Sequence, residues 1–320
     1  MEEKALQIGA AVLTLALLLR LGSTWEGGRA EIGRTLLFLS SGRLVTETVP
    51  PETEAATEPV RDVCEEKPEA AAIPVFGESE EGFVQVNAAW EVDILSLLRQ
   101  PLEWDLMSEA PAVLILHSHA TESYEKEAGY GETSPYRTLD TNYNMVSIGE
   151  RVTQLLEAGG IRVIHDRSLY DYPNYNDAYV GAREAIENHL AENPSICMVL
   201  DLHRDAAEDA EGKQKTSAIT IDGVSTANLM LVMGSNKGNR TFPNWEQNLA
   251  LAVKLQAQLE RANKGLCKPI KLVTSRYNQD LCTGALLVEV GTAGNTHAEA
   301  MAAAEHLAAG ILALAKGANH

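Results

Sequence analysis

The chain has 320 residues, 45% of them hydrophobic, and a formal charge of −19. That is long enough for one large domain or two small ones, and apolar enough to argue against wholesale disorder. The acidity argues against a nucleic-acid binder, which needs a basic footprint to displace counterions from phosphate. Cys64, Cys197, Cys267 and Cys282 lack C-x-x-C spacing, so a structural zinc knuckle is not expected.

Residues 1–22 open on an apolar run. From Ala5 to Leu19 it carries no charge and is interrupted only by Gln7, Gly9 and Thr14. At about 15 residues it falls short of the ~20 that span a bilayer, unless Arg20 snorkels to the interface. The expectation is an N-terminal membrane anchor, with a cleaved signal or a soluble amphipathic start as the alternatives. A juxtamembrane segment, residues 23–46, follows. From Glu47 to about residue 82 acidic residues and Pro50, Pro51, Pro59, Pro68 and Pro74 dominate. Such composition buries too little apolar surface to offset ordering entropy, so a linker is predicted there.

The folded domain is expected over 83–320. A short helical candidate lies between Asn87 and Trp104, broken at Pro101. Strands and helices then alternate. Val113–Leu116 reads as a strand, Val146–Gly159 as an amphipathic helix, and Arg162–His165 as a strand. Tyr179–Leu190 is helical and Ile196–Leu202 a strongly apolar strand, while Ser217–Ile221 and Met230–Met233 suggest two more. Asn244–Ala262 is a long helix, Ile270–Thr274 and Ala285–Val290 are strands, and His297–Lys316 closes as a helix. This alternation predicts an α/β fold: a mostly parallel sheet with helices on both faces, and a site beyond the carboxyl ends of its strands.

Three of these strands run into titratable residues. "VLILHSHATESY" delivers His117, His119 and Glu122; "ICMVLDLHRD" delivers Asp201, His203, Arg204 and Asp205; "ALLVEVG" delivers Glu289. His119-x-x-Glu122 sets a nitrogen and an oxygen donor three residues apart, and His203 from another strand would complete an open His₂Glu zinc site. His117 is the alternative ligand, or a partner that holds one. Strand alternation points it to the same side as His119. Glu289, among aliphatics, is the candidate general base, with its pKa raised by desolvation. Arg204 is a candidate for a substrate carboxylate, or else pairs with Asp205. The polar loop "SRYNQDL" offers Asn278 and Gln279 for the amide groups of a peptide. His165 and His189 read as packing or solvated residues.

The stretches "HSHATESY", "DLHRD", "YNQD" and "LLVEVGTAGNT" together resemble the stage II sporulation protein P family, over roughly Ala112 to Leu312. The resemblance implies a fold like that of zinc-dependent N-acetylmuramoyl-L-alanine amidases and zinc carboxypeptidases. It implies a single-pass cell-membrane protein with an extracytoplasmic domain, in the mother-cell membrane during engulfment, that cuts stem peptides from glycan strands. Crosslink endopeptidase activity and work with stage II sporulation proteins D and M are implied as well. Carried onto this chain, it assigns the zinc to His117 or His119 with Glu122 and His203, and catalysis to Glu289. The alternatives are a zinc carboxypeptidase or endopeptidase, with Arg204 or Arg183 for a substrate carboxylate, or a metal-free membrane-tethered peptidoglycan-binding protein.

Overall fold

The computed structural model describes residues 76–102, 104–126, 131–238 and 241–317. The anchor expected over 1–22, the segment 23–46, most of the linker and Cys64 lie outside these residues.

The chain enters the domain earlier than its charge pattern predicts. Phe76 is buried and its N–H donates to Leu98 O at 3.2 Å, so residues 76–82, expected as linker, pack against the domain. The short helix α1 (Glu78–Glu81) precedes strand β1 (Val86–Asn87) and helix α2 (Ile94–Arg99), which Asp93 caps by accepting from Ser96 N at 2.9 Å. The elements that follow are β2 (Val113–Leu116), α3 (Met145–Ala158), β3 (Val163–His165), α4 (Ala178–Glu192) and β4 (Met198–Asp205). Then come β5 (Ala218–Ile221), β6 (Val224–Ala227), β7 (Leu229–Met233) and α5 (Trp245–Ala262). The last are β8 (Ile270–Leu272), β9 (Ala285–Thr292) and α6 (His297–Ala315).

Seven strands form one sheet in the order β1-β8-β7-β9-β4-β2-β3. Pairing is parallel throughout except between β7 and β9, where the direction reverses. The sheet is therefore two parallel halves joined back to front. β2, β4 and β9 are buried nearly end to end, which is why they read as continuous apolar runs. Ser217–Ile221, expected as a further sheet strand, instead corresponds to β5. It pairs only with β6 as a separate hairpin, turned by Asp222 and Gly223, both with positive φ.

α3, α5 and α6 pack side by side on one face. α4 connects β3 to β4, strands that flank β2 in parallel, and its Ala182, Ile186 and Leu190 are buried in the core; the usual right-handed crossover would set it on the opposite face. A Thr296–Glu299 capping box starts α6. By length and composition α6 could cross a membrane, but its buried side chains pack into the domain core.

Candidate metal and catalytic centre

The site forms where β2, β4 and β9 run side by side. His203 on β4 and Glu289 on β9 are direct register partners, so their side chains leave neighbouring parallel strands at the same level. An irregularity in register between His203 and Asp205 bends β4 just there. β2 ends at Leu116, and the chain then turns so that Glu122 N donates to His119 O at 3.1 Å. That turn brings the two H-x-x-E donors round to His203: its Nδ1 lies 3.5 Å from Glu122 Oε2, and its ring centroid 5.4 Å from that of His119.

Among the described residues no three His, Cys, Asp or Glu side chains already stand as a metal-holding group. One pair of the expected donors is nevertheless spaced as two ligands of a zinc ion would be. Two donors at about 2.0–2.2 Å from a tetrahedral zinc lie about 3.4 Å apart, close to the His203–Glu122 separation. His119 Nδ1 and Glu289 Oε2 are buried and have no hydrogen-bond partner among the described residues. Asp201 Oδ1 lies 3.0 Å from His203 Nε2, and Asp201 is itself fixed by Ser118 N at 2.8 Å and Ser118 Oγ at 2.6 Å. His203 Nε2 forms no hydrogen bond of good geometry there, so Asp201 acts on the imidazole as a nearby charge.

The two glutamates are driven in opposite directions. Burial alone would raise Glu122, but the Arg204 charge and the neighbouring His203 and His119 bring it down to about 2. For Glu289 burial wins: together with the Glu122 and Asp205 charges it outweighs His203 and Arg204 and pushes the carboxyl up to about 8. His203, although buried, is held well above its usual range by Asp201 and Glu122. Burial, and the neighbouring His203, lower His119.

His117 does not share the direction of His119, because alternation stops where the strand does. Its Nδ1 lies 3.1 Å from Leu202 O and its Nε2 3.0 Å from His165 Nε2. His165 is thus an interior packing residue, one of the two roles expected for it. The imidazole pair packs on Gly149, where an added Cβ would come within 2.5 Å and 2.6 Å of the two Nε2 atoms.

The three residues offered for substrate contact are held as follows. Arg204 is buried: Nε donates to Ser123 O at 2.9 Å, Nη2 to Tyr136 O at 3.0 Å, and Nη1 lies 3.6 Å from Glu122. It frames Glu122 rather than pairing with Asp205. Gln279 has both ends of its amide on backbone, donating to Val232 O and accepting from Gly234 N, each at 2.8 Å. Asn278 Nδ2 donates to Tyr179 O at 2.9 Å. Arg183 pairs with Asp280 and Glu187, and His189 lies 3.0 Å from Asp166.

Sequence reading missed one wall of the site. Arg137 Nη1 donates to Asp171 at 2.7 Å, its Nη2 lies 3.5 Å from Glu122, and its guanidinium sits 4.6 Å from the Tyr175 ring centroid. Tyr175 stacks on His119 at 4.4 Å, and Tyr179 stands edge-on to it at 5.3 Å. A signal was present: "YDYPNYNDAY" holds four of the nine tyrosines of the chain.

The stage II sporulation protein P family model matches residues 45–312. The stage II sporulation protein P of Bacillus subtilis (strain 168) is 30% identical over 203 residues. The match covers 60% of this chain and 48% of the relative, so it spans about half the relative's length. Among solved structures, the N-acetylmuramoyl-L-alanine amidase AmiC2 of Nostoc punctiforme aligns with a TM-score of 0.37 at 14% identity, over 63% of this chain and 95% of its own. The N-acetylmuramoyl-L-alanine amidase of Clostridium difficile 630 gives 0.35 at 15%, over 64% and 94%. A metallo-carboxypeptidase from Burkholderia cenocepacia gives 0.34 at 11%, over 78% and 65%. With more than half of its length matched by the family model, the chain belongs to the stage II sporulation protein P family.

Proposed function

We propose that the chain is a zinc-dependent peptidoglycan hydrolase, an N-acetylmuramoyl-L-alanine amidase that frees stem peptides from glycan strands during engulfment. The observation that carries this reading is geometric: His119 and Glu122 converge on His203, and Glu289 stands beside His203 as its register partner, the two carboxyls in opposed electrostatic surroundings. Glu122 is held as a carboxylate between His119 and His203, while Glu289, the register partner of His203, keeps its proton until about pH 8. Carboxyl groups driven apart in this way take different roles. Glu122 serves as a ligand and Glu289 as the proton carrier.

His119, Glu122 and His203 would hold the zinc, which when bound supplies a Lewis acid and a water acidified from about 15.7 towards 7. Glu289 takes a proton from the attacking water and returns it to the leaving nitrogen. The water oxygen joins the lactyl carbonyl carbon, the C–N bond breaks, and the products are a lactyl carboxylate and a free L-Ala amine. Glu289, buried and raised to about 8, would ionise more readily beside a bound cation, and a carboxyl in that range can both take and return a proton. Asp201 acts on His203 as a nearby charge, and Arg204 holds Glu122 in place.

A carboxypeptidase would need a free guanidinium for its substrate's terminal carboxylate. Arg204 and Arg183, the candidates from sequence, are both engaged within the protein, which favours the amidase. The membrane anchor, the extracytoplasmic placement and the partnership with stage II sporulation proteins D and M belong to the same proposal and rest on family membership.

The test is digestion of purified sacculi with the zinc-supplemented chain and with a chelator, read by mass spectrometry. Zinc-dependent release of peptides with L-Ala at the amino end is expected, and release of D-amino acids or split crosslinks alone would replace amidase by peptidase. Glu289→Gln should lower kcat by about 10²–10⁴-fold while binding zinc as the unaltered chain does. Unchanged turnover in that variant would end the role given to Glu289.

A further inference from the structure

Hydrolysis of an amide develops negative charge on the carbonyl oxygen, and a neutral donor aimed at that oxygen accelerates the reaction. Most donors around the cluster are already engaged. Ser118 bonds Asp201, Thr121 bonds Asp171, Arg137 bridges Asp171 and Glu122, and Arg204 is held by Ser123 O, Tyr136 O and Glu122.

The Ser123 hydroxyl and the phenols of Tyr175 and Tyr179 are unengaged among the described residues, and of the two phenols that of Tyr179 is the less exposed. Tyr179 is half-buried at the start of α4, with its ring edge-on to His119 at 5.3 Å and parallel to His203 at 6.3 Å. The ring therefore overhangs both imidazoles, and among the described residues its hydroxyl has no hydrogen-bond partner. Its place is fixed from a second element. Tyr277 and Asn278 are consecutive non-glycine residues in the left-handed region, at φ 51° and 57°. Such backbone is costly and persists only where its surroundings hold it. Asn278 donates to Tyr179 O at 2.9 Å, and the Tyr277 ring lies 5.9 Å from that of Tyr179. The strained turn thus fastens the stretch that carries the Tyr179 ring beside His119 and His203.

We propose that Tyr179 is a further catalytic residue, whose phenol donates a hydrogen bond to the carbonyl oxygen of the scissile amide as that oxygen gains charge. This deepens the amidase reading and rests on it. Asn278 is then a positioning residue that acts through Tyr179, a role different from the direct substrate contact expected from the sequence.

Tyr179→Phe keeps the ring over His119 and His203 and removes only the hydroxyl. In the zinc-loaded full chain acting on sacculi, it should lower kcat about 10²-fold, with KM, zinc content and melting temperature unchanged. A phosphonamidate analogue of N-acetylmuramoyl-L-alanyl-D-isoglutamine, tetrahedral at the reacting centre, should bind the variant about as much more weakly. The parent amide should bind both forms equally. Asn278→Ala should lower kcat by a smaller factor and add little to Tyr179→Phe, and exposed Tyr172→Phe serves as the control.

Wild-type kcat in Tyr179→Phe overturns the donor role, as does a kcat loss matched by loss of zinc or of folding. A wild-type chain that releases no stem peptide and binds neither probe overturns the amidase reading itself, and the donor role with it. Turnover by the wild type together with an indifferent Tyr179→Phe overturns only the phenol.

Discussion

His117 and His165 form a buried pair whose protonation follows from their surroundings. Leu202 O can only accept, so His117 Nδ1 carries the proton, its Nε2 is an acceptor, and His165 Nε2 donates to it. Burial pushes His117 down to about 3 and His165 to about 4, against about 6.5 in an unfolded chain. Above pH 6.5 neither state takes a proton and the pair has no effect on the pH dependence. Below it the unfolded chain is protonated first, so stability falls as pH drops through the window from 6.5 to about 4. His165→Gln should make the fall in melting temperature over that window shallower by removing the His165 share of the loss, while buried His117 keeps its own. The same slope in both proteins would show the pair to be irrelevant. At this scale the sequence revealed donors better than directions. His119, Glu122, His203 and Glu289 end strand-like runs and do come together, whereas His117 was oriented by an alternation that ceases at Leu116. Arg137, Asp171 and Tyr179 reach the site from loops and a helix start, where no periodicity announces a direction.

Helix α6 shows how composition can mislead about an element. Its apolar, alanine-rich sequence would satisfy a lipid bilayer as well as a protein core. Contacts decide the matter: α6 lies against α3 and α5, and a Cβ on Gly310 would approach Leu259 Cδ2 to 2.6 Å and Leu255 Cδ1 to 3.3 Å. Gly310→Val should therefore cost about 1–3 kcal/mol by overpacking, seen as a melting temperature lower by roughly 3–8 °C. Were α6 in lipid instead of this core, the unfolding transition would stay where it was. The longer elements were legible for a related reason. β2, β4 and β9, and helices α3, α5 and α6, carry runs or stripes long enough to reveal their period. β1 and β6 were missed because two residues, or four with a polar middle, give no period to read. The Asp222–Gly223 dipeptide was the available sign of the β5–β6 hairpin.

At the scale of the whole molecule, the question is where the self-supporting unit begins. Charge density places that point near residue 83, because Glu78, Glu80 and Glu81 extend the acidic run. Packing places it earlier. The Phe76 side chain is buried, its N–H is held by Leu98 O, and the Lys254 ammonium on α5 lies 5.3 Å from its ring centroid. Lys254 is itself buried and donates to the same Leu98 carbonyl, with its pKa pushed down by burial to about 8. One aromatic ring thus shields a buried cation and closes the end of α2 together. A chain starting at Phe76 retains this contact set. A chain starting at Phe83 exposes Lys254 and loses a buried phenylalanine, a loss of about 2–3 kcal/mol. Scanning calorimetry of the two truncations decides between the boundaries. Equal melting temperatures would restore the boundary that charge alone suggests, and a drop confined to the shorter chain would make Phe76 the first residue of the fold.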